Sequence, residues 1–100
     1  MYFHYAVGDP PSDVVLVQYS LTQVIAVWTS PSAQTPVGYR VTVTVAGFLF
    51  LTQHTEVATV TFSLYNNQYG DYGVQVVSLY SDKLPSVPAV SAEITVRGKA

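Results

Sequence analysis

Cysteine is absent from this sequence, which removes disulfide bridges, thiolate metal sites and thiol nucleophiles together. Charge is scarce as well: only 10% of the residues are Asp, Glu, Lys or Arg, against about a quarter in an ordinary soluble domain. With four basic residues and a net charge of −2 there is no basic stripe to follow a phosphate backbone and no polybasic cluster for an anionic membrane surface. Nucleic acid and membrane are therefore not expected partners of this segment. Long apolar runs are missing too; the longest, Val45 to Leu51, is far shorter than a bilayer span and contains Gly47. Met1 to Gly8 lacks the basic start and apolar stretch of a signal peptide, so a secreted parent would imply an excised piece with an added Met1. Asn66 and Asn67 do not form a glycosylation acceptor.

What is present is apolar material in a particular order. Hydrophobic residues make up 49% of the chain, and a chain of 100 residues buries about two-thirds of its unfolded surface, enough for a core without staples. Val- and Thr-rich runs alternate with period two and are punctuated by Pro, Gly and Asn, while no segment has helical periodicity. Strands are expected over about Asp13 to Tyr19, Gln23 to Thr29, Gly38 to Ala46, Phe48 to Thr52, Glu56 to Leu64, Tyr72 to Leu79 and Ala89 to Val96. Leu21-Thr22 turns the chain, and Ser30 to Pro36 is a loop because two prolines cannot both sit in a central ladder. Short strands at this even spacing predict a two-sheet sandwich.

The residues needed for catalysis do not gather. His4 falls in a terminal segment and His54 in a turn, and Asp9, Asp13, Glu56, Asp71, Asp82 and Glu93 are scattered over strand ends and loops. Nothing in that spacing resembles a paired carboxylate site or a metal site. Gly70-Asp71-Tyr72-Gly73 has the look of a phosphate loop, but no helix follows, so it reads as a turn capped by Asp71. No catalytic, cofactor or metal residue is assigned, and the chain is not expected to be an enzyme.

Four motifs in order carry a family resemblance. They are Val24-Ile25-Ala26-Val27-Trp28-Thr29-Ser30-Pro31, then Gly38-Tyr39-Arg40-Val41, then Tyr72-Gly73-Val74-Gln75-Val76, and finally Ser86-Val87-Pro88. Together they resemble the fibronectin type III family across Pro10 to Val96. The resemblance implies an all-β fold, a seven-stranded two-sheet immunoglobulin-like β-sandwich of fibronectin type III type. It implies a buried core built on Trp28, Tyr39, Val41, Tyr72, Val74 and Val76, with Tyr72 as a corner tyrosine whose hydroxyl bonds backbone just upstream. The leucine expected ahead of that corner falls at Leu64 rather than at Asn66, so Tyr65 to Asp71 reads as a lengthened corner with Tyr69 as the alternative corner residue.

On this reading residues 1–9 are a linker or N-terminal arm, 10–97 the domain and 98–100 a C-terminal linker stub. The resemblance further implies a non-catalytic protein–protein interaction module of a larger multidomain protein. That protein would be extracellular or a receptor or adhesion ectodomain, and the partner another protein or an adjacent domain, with no cofactor. A passive spacer and an intracellular scaffold module are the alternatives. The Arg-Gly-Asp tripeptide of some adhesive members is missing from Tyr80 to Pro85. Candidate contact residues are Phe48 and Phe50 in the uncharged run, outward-facing Ile25 and Val27, with Val14 or Leu16 beside them, and Tyr80 near a strand end.

Overall fold

A computed structural model describes residues 6–64 and 69–97. All regular structure among them is β-strand: β1 (Ser12–Ser20), β2 (Gln23–Thr29), β3 (Gly38–Val45), β4 (Phe48–Thr55), β5 (Thr59–Ser63), β6 (Gly70–Leu79), β7 (Ala89–Val90) and β8 (Ile94–Val96). The strands form two antiparallel sheets. One has the order β1-β2-β5; the other has the order β4-β3-β6-β7, with β8 pairing further along β6. β2 lies at the centre of the first sheet, and β3 and β6 at the centre of the second. Val24, Ala26 and Trp28 turn inward from β2, and Tyr39, Val41 and Val43 turn inward from β3.

The core is filled from both inner faces. Leu16, Val24, Ala26, Trp28, Val60, Phe62 and Leu64 meet Tyr39, Val41, Val43, Tyr72, Val74, Val76 and Val96. Rings occupy the two ends and valines the middle. At one end Trp28 meets Tyr39 edge-on, with ring centroids 5.2 Å apart. At the other, Tyr72 stacks on Phe62 at 6.0 Å and takes the edge of Phe50 at 5.6 Å. The Tyr39 hydroxyl is hydrogen-bonded to Ser30 Oγ, which ties the loop after β2 to the start of β3. Tyr72 is fully buried whereas Tyr69 is 39% exposed, so of these two it is Tyr72 that enters the core. The corner itself, and the backbone just upstream that its hydroxyl was expected to bond, falls on residues 65–68, outside the described residues.

Three strand boundaries differ from expectation, each for a local reason. β4 continues to Thr55, because Gln53, His54 and Thr55 stay paired with Val41, Arg40 and Tyr39 although they show no apolar alternation. An edge strand facing water has no need of that pattern. β5 begins only at Thr59, since 56–58 is the bend in which the chain crosses between sheets. β6 starts at Gly70, so Gly70-Asp71-Tyr72-Gly73 is strand rather than turn, and Asp71 accepts a hydrogen bond from Thr95 Oγ1 at 2.8 Å instead of capping a turn.

The single last strand expected over Ala89 to Val96 is two pieces joined by a serine. Val74 N donates to Ser91 Oγ at 3.0 Å and Ser91 N donates to the Val74 carbonyl at 2.9 Å, so a side chain keeps the ladder going where the backbone departs from it. Ser86 does the same between two prolines that cannot donate. Ser78 N donates to its Oγ at 2.9 Å and Ser86 N donates to the Ser78 carbonyl at 3.0 Å.

β3 and β4 are joined by Ala46 and Gly47, both left-handed, with φ of 51° and 83°. A two-residue hairpin turn with two positive φ values matches strand twist but strains alanine. Ala46→Asn is therefore expected to raise stability by about 0.5–1 kcal/mol in urea unfolding, because Asn tolerates this conformation. Burial also pushes the Tyr72 phenol above its ordinary value of 10.0. Below that value the phenol is neutral in both folded and unfolded chains. Above it the unfolded chain ionises first, so the stability held below pH 10 is lost as pH rises through the folded-state value. Urea midpoints are expected to be flat up to about pH 10 and to fall beyond it, with a smaller fall in Tyr72→Phe.

Candidate interaction surface

The six residues expected in the core, Trp28, Tyr39, Val41, Tyr72, Val74 and Val76, are all buried between the sheets. The five contact candidates go to three separate places. Ile25 and Val27 lie on the outer face of the β1-β2-β5 sheet. Phe48 and Phe50 lie on β4, at the edge of the other sheet. Tyr80 lies beyond the end of β6.

The outer face of the three-stranded sheet is the most coherent of these. Register sets Val15 opposite Val27 and Val17 opposite Ile25, while Thr61 flanks Ile25 and Thr59 flanks Val27 from β5. Val15, Val17 and Val27 are 47%, 51% and 40% exposed, and Ile25 is half-buried. No charged side chain enters these rows. The neighbours on β1 are not the ones expected: Leu16 belongs to the core and Val14 packs against it. Asp13 takes a φ of 53° where the β1–β2 register shifts, and the shift places Val15 and Val17 outward. The four-residue run Val14-Val15-Leu16-Val17 is apolar in both parities, so its sequence holds no signal for which pair faces water.

On β4 the two phenylalanines part company. Phe48 is 78% exposed and Leu49 69%, whereas Phe50 turns its ring onto Phe62 and Tyr72 and packs against the core. Phe50 is thus a packing residue, and only Phe48 offers a free ring. The division follows the β3–β4 register, which slips between Val43 and Thr44 so that Phe50 is the extra residue.

Tyr80 is engaged within the chain. Its hydroxyl donates to the Asp9 carbonyl at 2.7 Å, and a Cβ on Gly8 would lie 1.9 Å from its ring. Burial pushes its phenol up from the ordinary value. Around this contact Val7 bridges to Leu84, Gly8 N donates to the Leu84 carbonyl at 3.0 Å, Leu84 N donates to the Ala6 carbonyl at 2.9 Å, and Asp9 N donates to Gln34 Oε1 at 2.7 Å. Residues 6–9 therefore run against the loop after β6 as an ordered segment; the aromatic residues of the expected arm, 1–5, lie outside the described residues, as do 98–100.

At the same end of the sandwich a cleft of about 390 Å³ opens among Val37, Gly38, Tyr39, His54, Thr55, Glu56 and Leu79. His54, expected in a turn, lies in β4 instead, and it stands on the rim of this cleft with Thr55 and Glu56.

Two antiparallel sheets with the order β1-β2-β5 facing β4-β3-β6-β7 define an immunoglobulin-like sandwich. Comparison with solved structures specifies it further. The chain is similar to domains d3-d4 of the rat CD45 extracellular region, with a TM-score of 0.74 and 16% identity over 91% of this chain and 51% of that one. It is similar to an FN3 domain of human collagen XX at a TM-score of 0.69 and 18% identity, covering 95% of this chain and 98% of that one. A titin module from human cardiac muscle matches at 0.69 and 20% identity, with 89% and 92% covered. The fold is that of a fibronectin type III domain. The chain spans about half of the CD45 fragment it matches. No family model matches the sequence, and no curated protein does.

Gly8 is the residue on which the N-terminal contact depends. Gly8→Ala is expected to speed amide exchange at Leu84 by about tenfold or more, read by NMR, while core unfolding changes by less than about 1 kcal/mol.

Proposed function

We propose that this chain is a non-catalytic protein–protein interaction module of a larger multidomain protein. The observation that carries the reading is the uncharged face on which Val15, Val17, Ile25 and Val27 stand in two paired rows. Burying apolar area of this kind is worth roughly 25 cal/mol per Å², and the face has a flat, rigid backing in which little side-chain entropy remains to be lost. β-branched side chains make the contact firm; the threonines at Thr59 and Thr61 supply a polar border. The expected occupant is another protein or an adjacent domain of the same chain.

An extracellular or ectodomain setting has support in the likeness to the CD45 extracellular region, and titin modules share the fold in an intracellular one. The passive-spacer reading draws on the same titin likeness and on the ordered residues 6–9, which would stiffen the junction with a preceding unit.

The experiment is an affinity capture with chemical cross-linking, comparing the chain with Val17→Lys/Val27→Lys. Both positions are exposed, so the double variant is expected to keep its melting temperature within about 4 °C. A partner captured by the wild type and lost with the variant supports the module; capture that ignores the substitutions, or none at about 10 µM, favours the spacer.

A further inference from the structure

The edges of the two sheets are guarded unequally. Where β1 runs beside the exit from β8, one side chain closes the gap: Gln18 Nε2 donates to the Arg97 carbonyl at 2.8 Å, and Arg97 N donates to Gln18 Oε1 at 3.1 Å. That reciprocal pair is what a neighbouring strand would supply. The β7 edge is only two residues long and is preceded by Pro85 and Pro88. β5 is five residues long. β4 is different. It is eight residues long, pairs with β3 alone among the described residues, and carries neither charge nor proline from Phe48 to Thr55. Edges of that length are normally blunted by charge, proline or irregularity, because their unpaired N–H and C=O groups are a template for another strand. The one irregularity, at Phe50, sits toward its start; Leu51 to Thr55 keep regular register with β3.

We propose that the β4 edge is an assembly site whose occupant is a second copy of this chain, paired antiparallel, β4 to β4, about a two-fold axis at Thr52. The proposal rests on the interaction-module reading but uses the opposite sheet. Charge favours a second copy. With Thr52 on the axis, Leu51 faces the other copy's Gln53, and past the extra residue Phe50 the outward Leu49 faces His54 and Phe48 faces Thr55, so no charged side chain within the strand meets its like. Shape favours it as well. Reversing the strand brings the exposed Phe48 of one copy to the Glu56 end of the other, where the cleft rimmed by His54, Thr55 and Glu56 opens. Each copy then carries both the ring and the recess, the self-complementarity that a two-fold interface demands. One added strand buries less than the roughly 800 Å² per partner of a stable interface, so the dissociation constant is expected to be about micromolar or weaker.

The absence of cysteine makes the test direct. Thr52 is exposed, and Thr52→Cys places one thiol per chain at the axis. Opposed Cα atoms in an antiparallel pair are about 4.5–5.5 Å apart, within disulfide range. Air oxidation is expected to give a covalent dimer at least about tenfold faster than Thr61→Cys, an exposed control on the opposite sheet. Sedimentation of the wild type between about 5 and 500 µM is expected to show a monomer–dimer equilibrium. Phe48→Ser is expected to weaken it about tenfold, and Thr52→Lys and Thr52→Glu to abolish it, all with unchanged circular dichroism. A wild type that stays monomeric throughout, equal linking of the two cysteine variants, or dimerisation indifferent to both charges overturns the proposal. The same results leave the Val17 and Val27 face untouched, and an extended peptide captured on β4 by a monomeric chain would place a different protein there instead of a second copy.

Discussion

Contact between aromatic rings across the gap between sheets is the constraint from which the other features follow. Two sheets packed face to face stand about 10 Å apart, and here valines fill the middle of that space. The larger rings stand toward the two ends: Trp28 against Tyr39 at one, Tyr72 against Phe62 and Phe50 at the other. Because β2, β3, β5 and β6 each contribute a ring, neither sheet can slide on the other without opening both clusters. Phe50 reaches its cluster only by the irregularity in β4, which is why its neighbours Phe48 and Leu49 are left outside.

Held at that spacing, the sheets leave backbone groups to satisfy along their borders. Here polar side chains stand in for missing strands. Ser86 and Ser91 supply hydroxyls to β6 amides, and Gln18 supplies a whole amide to Arg97. Each is a short-range use of a side chain as backbone, and each lies where proline or a change of direction interrupts the ladder. The scarcity of charge makes this economical, since hydroxyl and amide groups complete a ladder without the desolvation cost of an ion.

That scarcity also shapes the outside. Asp9, Asp13, Arg40, Glu56, Asp82 and Lys83 gather toward the end of the sandwich that holds Trp28 and Tyr39, and the outer rows of β1, β2 and β5 are left to valine, isoleucine and threonine. A surface of this kind is solvated weakly, and the energetic opportunity lies in covering it. The border closed by Gln18 and the open border at β4 show that protection has been applied to one side of the molecule more than the other.

The sequence was enough to locate β3, because apolar residues alternating strictly with Arg40, Thr42 and Thr44 fit only one way of facing a core; β2, apolar from Val24 to Trp28, took its inward face from the place of Trp28 in the family motif. The family motifs pointed to Trp28 and Tyr39 as buried and left Tyr72 against Tyr69 as the corner residue; ring size alone decides nothing, since Tyr19 in β1 faces water. It did not separate Phe48 from Phe50, or Val15 and Val17 from Val14 and Leu16, because consecutive apolar residues carry no parity. Nor did it reveal that Gln18 meets Arg97 far along the chain. Those were decided by register and by bulges, which are set when strands pair, and by edge pairing that brings together residues with no local relationship. Periodicity is a property of a strand by itself; which side of it meets water, and what lies across from it, belongs to the assembled sheets.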